Sequence, residues 1–590
     1  DIEWAMAGQR LLLLQARPIT ALPRAAIVDL PPGTWVKEEE RHPEPLTAFG
    51  ASLVGPLVTD GLTEMAASWG ALIERFEARP VGGEPYMRVT PLGGDRPGPP
   101  PPWWLFGALV RLVPPLRARM STARRMLRPE VLQGALDDWE NVHRPRIRDE
   151  HARLAAVELG ALDDVALDSY VTDAFDFSMR CLRLHFWLIP PYAVPVHDLV
   201  AFCHRELGWD DYRSLLLLAG TSTATVEPHR ELQRIAALDS GIGEELEGWV
   251  RRYGVRCVNN DPGSPTLAER PDLVAAMVRE AAGSDTRDGV DPGARTRGEA
   301  LAQARLLLAK RSPRTRARFE ELLGHATRAY PVREDSAFWT ASMTGGLMRR
   351  AMVEIGRRLT DRGLLHDPQQ AVHLDVDTLR GALRDGADRA DIRARVDTAR
   401  AERAWARRHP GPAYHGPAPS APPSFRGLPR AGRRLNEALG WSSGANQGGA
   451  GPHGGGPEAT PEATLLGTPG SPGRHRGTVR VVLTEADFGS VGTGDVLVCP
   501  TTDPAWSVLF GIAGALVTDH GGVLCHAAIV AREFGIPAVL GTVRGTQMLR
   551  DGQQVTVDGT TGRVVVVPDP PRSGGLADVH AHPPHTKELT

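Results

Sequence analysis

The sequence has 590 residues, of which 42% are hydrophobic and 24% charged, and its formal net charge is −3. This composition is typical of a soluble globular protein of about four domains. The near-neutral charge gives no attraction to nucleic acid or to an anionic membrane, so we expect neither as a partner. The five cysteines lack CxxC spacing, which indicates neither a zinc site nor a disulfide framework and favours the cytoplasm. We recognise no signal peptide and no apolar run long enough to span a bilayer.

The first residues predict a β-hairpin. Apolar runs at Ile2–Trp4 and Arg10–Arg17 flank a turn, and Pro18 ends the second run. The period of a strand places Gln15 and Arg17 on one face. Carboxylate and amide oxygens suit Mg²⁺ and a guanidinium suits phosphate, whereas a charged surface strand pair is the alternative interpretation.

The pattern from about residue 25 to 440 is mainly helical. Apolar residues recur every three or four positions, as in Asp168–Ile189, and proline-rich breaks occur at 96–104 and 411–424. The apolar run Trp103–Val110 could touch a membrane surface, but we favour a helix in the core or beside a pocket.

A change in composition marks the last part of the chain. The glycine- and proline-rich stretch Gly444–Gly473 predicts a linker. Short β-branched runs follow, with helical stretches near Trp506–Ala513 and Cys525–Phe534. This pattern predicts a compact α/β domain of about a hundred residues. We expect a loose tail after Pro568 rather than a metal site built from its histidines.

His526 stands at a strand-to-helix junction of this domain. The strand should end at Thr518, and Gly521 and Gly522 allow a tight turn before the helix. Free N–H groups and the helix dipole favour anions there and keep an imidazole neutral and nucleophilic. The arrangement suits a histidine that accepts and passes on a phosphoryl group, although a histidine that fills a core gap or caps the helix stays open. Cys525 is expected to be a small buried neighbour.

The stretch TDHGGVLCHAAIVAREFGIPAVLGT resembles the phosphohistidine signature of the phosphoenolpyruvate-utilising enzymes, and residues 474–567 as a whole resemble the mobile domain of that family. The resemblance implies that His526 is phosphorylated. It also implies a loop around this histidine that includes Thr518, Gly521, Gly522 and Arg532. The linker would then let the domain swing between a nucleotide site and an acceptor site, whereas an ordinary spacer is the alternative.

The stretch DIEWAMAGQRLLLLQARPIT resembles the closing hairpin of the ATP-grasp domain in the same enzymes. The resemblance implies that Glu3 and Gln15 bind Mg²⁺ and that Arg17 contacts the phosphates of ATP. We expect this chain to begin partway through a larger protein and to lack most of the ATP-grasp domain. It should therefore bind ATP poorly without a separate or upstream ATP-grasp domain.

The predicted fold is multidomain, with a large mainly α-helical centre, a C-terminal α/β swivelling domain and an N-terminal β-hairpin remnant. The predicted order is an ATP-grasp end (1–20), a helical acceptor domain (21–440), a linker (441–473), a mobile phosphohistidine domain (474–568) and a tail (569–590). A pyruvate-binding TIM barrel needs ~250 residues, and about twenty follow Pro570. The order therefore resembles that of the rifampicin phosphotransferases within the family.

Arg333 and His42 are the candidate residues of the acceptor site. Arg333 could stabilise the transferred phosphate, or it could pair with Glu334 or Asp335 on a helix surface. His42 could act as the base for an acceptor hydroxyl, or it could be an ordinary loop histidine. Aromatic residues could line the pocket or fill the core: Trp103, Trp104, Phe106, Phe186, Trp187, Phe338 and Trp339. The segment 252–263 departs from a family motif and leaves the acceptor chemistry open.

These observations predict an ATP-dependent phosphotransferase of the dikinase type. The β-phosphate of ATP would pass to His526 and then to a hydroxyl of an apolar small molecule, with release of AMP and phosphate, and kinship to rifampicin phosphotransferases implies antibiotic modification. One alternative is a non-catalytic small-molecule binding protein or the partner half of a split phosphotransferase. Another is a metabolic enzyme like phosphoenolpyruvate synthase, which would need a separate barrel subunit.

Overall fold

The computed structural model describes residues 2–7, 10–16, 30–39, 41–94, 102–222, 226–283, 291–419, 424–447, 465–502 and 506–567. The first two ranges form the predicted hairpin, in which β1 (Ile2–Ala7) runs antiparallel to β2 (Arg10–Ala16). Its register makes Glu3 and Gln15 direct cross-strand partners. Arg17, Pro18 and the tail from residue 569 lie outside the described residues. The hairpin is confirmed, whereas its assignment to an ATP-grasp domain stays a prediction.

The central region is built mainly from helices, as predicted. They are α1 (Ala48–Trp69), α2 (Trp103–Leu112), α3 (Pro114–Met126), α4 (Pro129–Asp138), α5 (Arg144–Ala155), α6 (Asp164–Trp187), α7 (Ile189–Leu207), α8 (Asp211–Leu215), α9 (Glu227–Ala236), α10 (Ile242–Tyr253), α11 (Pro271–Gly283), α12 (Pro292–Leu308), α13 (Pro313–Ala337), α14 (Met343–Asp361), α15 (Val376–Arg384), α16 (Arg389–Arg408) and α17 (Arg430–Gln447). Side-chain oxygens cap several N-termini, as Thr47 does for α1 and Asp163 for α6. Two π-helical segments, Trp139–His143 and Phe338–Ser342, join α4 to α5 and α13 to α14.

A small antiparallel sheet lies within this helical region, which the helical prediction missed. Its strands are β3 (Trp35–Lys37), β4 (Ile73–Val81), β5 (Glu84–Pro91) and β6 (Tyr414–His415), in the order β4-β5-β3-β6. Gly82 and Gly83 form the β4–β5 turn with φ of 60° and 85°, a left-handed conformation that glycine adopts without strain.

One continuous helical segment, Asp164–Leu207, is long and apolar enough to cross a bilayer by length and composition alone. This corrects the expectation that no such run exists. Within the protein, 72% of its most apolar window is buried, and residues such as Leu167, Phe177 and Leu188 belong to the main helical core. The segment therefore packs as a core helix pair.

The C-terminal domain is an α/β unit around one eight-stranded sheet. Its elements are β7 (Leu465–Leu466), β8 (Thr468–Ser471), β9 (Arg474–Val481), β10 (Val496–Cys499), α18 (Ser507–Phe510), β11 (Ala515–Thr518), α19 (His526–Phe534), β12 (Ala538–Leu540), α20 (Gly545–Met548), β13 (Gln554–Asp558) and β14 (Arg563–Val566). The strand order is β7-β14-β13-β9-β10-β11-β12-β8. Strands β9 to β12 are parallel, and β10, β11 and β12 are buried throughout, as continuous apolar runs require.

Both ends of the predicted linker, 441–473, belong to regular elements, which corrects its boundaries. Helix α17 continues to Gln447, and β7 and β8 pair with β14 and β12 of the C-terminal sheet. The pairing of β8 means that the sheet begins upstream of the predicted domain start at residue 474.

The C-terminal domain docks on the helical region through two shared hydrophobic cores. Leu524 and Ile529 share a core with residues of α7, α12 and α13. Phe510 and Ala527 share another core with Phe338. Helix α19 and the loop before it are therefore held against α13, and this contact forms the candidate site.

Candidate active site

His526 is the first residue of α19, at the end of a glycine turn that follows β11. Strand β11 ends at Thr518, whose hydroxyl donates to the carbonyl of His520 at 2.6 Å. Gly521 has φ of 106°, and a Cβ there would lie 2.8 Å from the sulfur of Cys525. No side chain caps the start of α19. The first-turn N–H groups beside His526 thus have no side-chain acceptor, which suits a negative group placed on this histidine.

The imidazole of His526 is held on one nitrogen and left open on the other. Its Nδ1 lies 2.8 Å from Oε2 of Glu334, a residue of α13. Its Nε2 is buried and has no hydrogen-bond partner among the residues that the structure describes. Because a carboxylate only accepts, Nδ1 carries the proton and Nε2 keeps its lone pair. The geometry therefore presents Nε2 as a nucleophile.

The charge on Glu334 supports this tautomer. Burial opposes the ionisation of Glu334, but the hydrogen bond from His526 and the charge of Arg333 outweigh it and hold the pKa of this carboxyl at about 2. Glu334 is therefore a carboxylate at neutral pH and can also stabilise an imidazolium that forms during phosphoryl transfer.

Arg333 contacts the same carboxylate from the other side. Its Nε donates to Oε1 of Glu334 at 3.2 Å, and its side chain is 14% exposed. Pairing with Glu334 matches the alternative raised from the sequence, although Arg333 is half-buried and not on an open helix surface. The carboxylate of Asp335, the other candidate partner, accepts from Trp139 at 2.8 Å and Arg144 at 3.1 Å.

Helix α13 is irregular on both sides of Arg333 and Glu334. Pro331 lies inside α13, where it removes one backbone hydrogen bond, and the π-helical segment begins at Phe338. Proline and π-turns are the usual causes of a bend in a helix. The Arg333–Glu334 pair lies between these two irregularities, a setting that is common at functional sites.

A narrow, largely apolar recess adjoins the pair. Its lining includes Tyr192, Tyr330, Arg333 and Leu524, and Leu524 lies two residues before His526. Burial raises the pKa of the Tyr192 phenol, while the nearby charges of Arg333 and Arg41 oppose that rise. The recess has apolar walls and one cationic group, the guanidinium of Arg333, and its volume of about 10 Å³ holds no more than a water molecule.

A second histidine of the helical region, His185 on α6, lies against the same turn of α13 through Ser336, while the role of His42 stays a prediction. Burial lowers the pKa of His185 to about 3, with contributions from Arg41 and Arg333 that Glu334 opposes. Burial also lowers the pKa of His42, but the charged groups that act on it are Glu38, Asp261 and Arg41. The sequence pattern gave no signal for His185, because it lies within an ordinary amphipathic helix, α6.

Arg532, which the resemblance assigns to the loop around His526, lies near the C-terminal end of α19. It is fully buried and donates to the carbonyls of Gly470 and Val523 and to the hydroxyl of Tyr330. It therefore ties the loop before His526 to β8 and to α13. Cys525 is buried, as predicted.

The aromatic candidates divide between core and surface. Phe186 and Phe338 are core residues, and Trp187 packs against Trp69. Trp103 and Trp104 are 57% and 61% exposed on α2, so they neither fill the core nor line the recess. In the part of the chain that the structure describes, no group of three or more His, Cys, Asp or Glu side chains could hold a metal ion.

Two protein-family models match this chain. The mobile domain of PEP-utilising enzymes matches residues 491–562. The fourth domain of rifampicin phosphotransferase matches residues 216–334, a range that ends at Glu334. The two matched segments are thus the ones that meet at the His526–Glu334 contact.

Similar proteins extend over different shares of the chain. A rifampicin phosphotransferase of Streptomyces sp is 30% identical over 54% of this chain and 34% of its own length. Chondramide synthase cmdD of Chondromyces crocatus is 29% identical over 67% of this chain and 11% of its own length. Phosphoenolpyruvate synthase of Aeropyrum pernix is 53% identical over 18% of this chain and 13% of its own length.

This chain therefore spans about a third or less of the length of these relatives. An NMR structure of Enzyme I covers 64% of this chain and 81% of its own at 12% identity, with a TM-score of 0.15 that carries no argument about the fold. The family matches agree with the resemblance read from the sequence: residues 491–562 are similar to the mobile domain of the PEP-utilising enzymes, and residues 216–334 are similar to the fourth domain of rifampicin phosphotransferase.

Proposed function

We propose that this chain carries the phosphohistidine and acceptor parts of an ATP-dependent dikinase-type phosphotransferase. The observation that carries the proposal is the buried Nε2 of His526, which has no hydrogen-bond partner within the described part of the chain, while Glu334 holds Nδ1. In the proposed reaction the β-phosphate of ATP passes to Nε2, with AMP and phosphate released. The phosphoryl group then moves to a hydroxyl of an apolar small molecule bound by the helical region, with Arg333 close to the transferred group.

The residues around His526 would serve phosphoryl transfer by position and charge. The uncapped N–H groups of α19 and the guanidinium of Arg333 would face the phosphoryl oxygens. Glu334 would keep the proton on Nδ1 and offset the positive charge that develops on the ring. Thr518, Gly521, Gly522 and Arg532 would hold the loop in this geometry.

The nucleotide part of the proposal rests on the N-terminal hairpin. Glu3 and Gln15, which are direct cross-strand partners in the backbone register, would hold Mg²⁺, and the ion would supply positive charge to the phosphates of ATP. Arg17 would contact those phosphates. The remaining nucleotide contacts would come from an ATP-grasp domain, upstream or separate. A cytoplasmic enzyme fits the five cysteines, which are all buried and form no disulfide with one another.

The acceptor class is proposed from the extent of the similarities. The phosphoenolpyruvate synthase match covers 18% of the chain, whereas the rifampicin phosphotransferase match covers 54% and thus reaches the helical region. We therefore favour an apolar acceptor such as an antibiotic over pyruvate chemistry.

The test uses the polypeptide as its gene encodes it, with Mg²⁺, ATP and rifampicin as the acceptor probe. We expect AMP, phosphate and a phosphorylated product, and none of these with His526→Asn. Formation of ADP, or turnover that survives in the variant, would overturn the proposal. Binding of rifampicin with no turnover would favour a non-catalytic binding protein.

A further inference from the structure

We propose that His185 is the general base that takes the proton from the acceptor hydroxyl. This inference rests on the proposed function, because it assigns a residue to the second half of that reaction. His185 lies on α6, and its Nδ1 is 3.4 Å from the hydroxyl oxygen of Ser336 on α13. The same turn of α13 holds His526 through Glu334.

The hydrogen bonds around Ser336 fix the tautomer of His185. The Ser336 hydroxyl lies 3.2 Å from the carbonyl of Arg333, and that carbonyl can only accept. The Ser336 oxygen must then accept from Nδ1 of His185, which leaves the lone pair on Nε2. No described residue forms a hydrogen bond with this Nε2, and the side chain is half-buried rather than sealed in the core. An unpaired, reachable basic nitrogen is what a general base requires.

The charges near His185 connect its basicity to the phosphoryl group. Burial and the guanidinium groups of Arg41 and Arg333 lower the pKa of its imidazole, while Glu334 opposes them. A phosphoryl group between these arginines would cancel part of their charge and raise the pKa of His185. The base would thus become effective when phosphorylated His526 is in place, and stay neutral before that.

The proposed step balances as follows. The acceptor oxygen attacks phosphorus while the phosphorus–Nε2 bond of His526 breaks, and that bond's electron pair returns to Nε2. The hydroxyl proton moves to Nε2 of His185 and later leaves to water. No other reactant is needed, and Nδ1 of each histidine keeps its proton throughout.

The experiment phosphorylates His526 with a chemical reagent, so that the result does not depend on an ATP site. The full chain is phosphorylated with phosphoramidate and freed of reagent, and methanol is added as a small hydroxyl probe. Phosphorus NMR then follows the loss of phosphohistidine and the appearance of methyl phosphate. The test variant is His185→Asn, whose amide can still donate to Ser336 but has no basic nitrogen. The companion variant Ser336→Ala keeps the base and removes the group that orients it.

We expect equal loading in all three proteins and a rate of methyl phosphate formation about 100-fold lower in His185→Asn. Added imidazole should restore part of that rate, whereas a purely structural role would give no such rescue. Ser336→Ala should cost roughly tenfold or less and gain nothing from imidazole. Transfer at the wild-type rate by loaded His185→Asn would overturn the role of His185 alone. Failure of loaded wild type to form more methyl phosphate than the denatured chain would overturn the proposed function itself.

Discussion

The two ends of α19 contact the helical region in different ways. At its N-terminal end, His526 shares one hydrogen bond with Glu334, and its other ring nitrogen has no partner among the described residues. At its C-terminal end, Arg532 donates to three oxygens, and Glu533 accepts from the backbone amides of Gly220 and Ser222 at 3.1 Å. This helix thus combines an end with unused bonding capacity and an end that holds the domain in position.

The largest effect on phosphoryl transfer is expected from removal of Nε2 of His526. His526→Asn should abolish phosphoryl transfer, because an amide is not a nucleophile at this position. Asparagine is well tolerated at a helix start, so the fold should persist. Transfer to the acceptor and acceptor binding are measured in parallel. Loss of both transfer and acceptor binding would indicate that the substitution damages the acceptor site, and not that a phosphocarrier is lost.

The next largest effect is expected at the carboxylate that holds Nδ1. Glu334→Gln keeps the shape but removes the negative charge, so phosphorylation of His526 should slow by about 100-fold or more. The matched control is Asp335→Asn, whose carboxylate contacts Trp139 and Arg144 instead. Equal losses in both variants would show that position 334 has no special part in the chemistry.

The C-terminal end of α19 should affect the stability of the domain more than it affects phosphoryl transfer. Arg532→Met leaves the carbonyls of Gly470 and Val523 buried without their donor, which should lower the free energy of unfolding of the C-terminal domain by roughly 3 kcal/mol. Arg480→Met is the control, since its pair with Asp495 is 35% exposed at the arginine and should be worth less than about 1 kcal/mol. Denaturant titration separates the two, and similar values would contradict the role given to Arg532.

The smallest effect is a pH dependence of docking through Glu533. Burial raises the pKa of Glu533 to about 7, with Asp291 raising it further and the two backbone hydrogen bonds and Arg230 opposing. The docked state therefore favours the protonated acid. Docking should weaken as pH rises from about 4.5 to 7, with an upper limit of about 3 kcal/mol. Hydrogen exchange at the amides of Gly220 and Ser222 reports the docked state.

Glu533→Gln should remove this dependence, so that the difference between wild type and variant isolates Glu533. The difference is needed because burial lowers the pKa of nearby His229 to about 4, which favours docking as pH rises. A difference that stays constant between pH 5 and 8 would contradict the assignment.

The sequence predicted the N-terminal end of α19 better than it predicted the residues of α13 that contact this end. The strand end at Thr518, the turn at Gly521 and the helix start at His526 follow from local rules, because backbone preference and capping act within a few residues. Glu334 could not be assigned a role in this way. It lies 192 residues from His526 in the chain, and docking alone brings the two together.

Tertiary contacts also explain the wrong linker boundary. Residues 441–447 are poor helix formers, yet α17 continues through them, and Trp441 in this turn donates to Asp211 at 2.9 Å. The missed β4–β5 hairpin is different, because its alternating pattern around Gly82-Gly83 is a local signal that the helical interpretation passed over. His185 gave no signal at all, since its role depends on what α13 places beside it.

The most direct test of the central claim is to locate the phosphoryl group. The polypeptide as its gene encodes it is incubated with Mg²⁺ and ATP labelled at the β-phosphate, and the acid-labile product is analysed by phosphorus NMR and peptide mapping. The structure predicts label on Nε2 of His526, and none in His526→Asn. Label on Nδ1, label on another residue, or a folded and unlabelled wild-type protein would contradict the account.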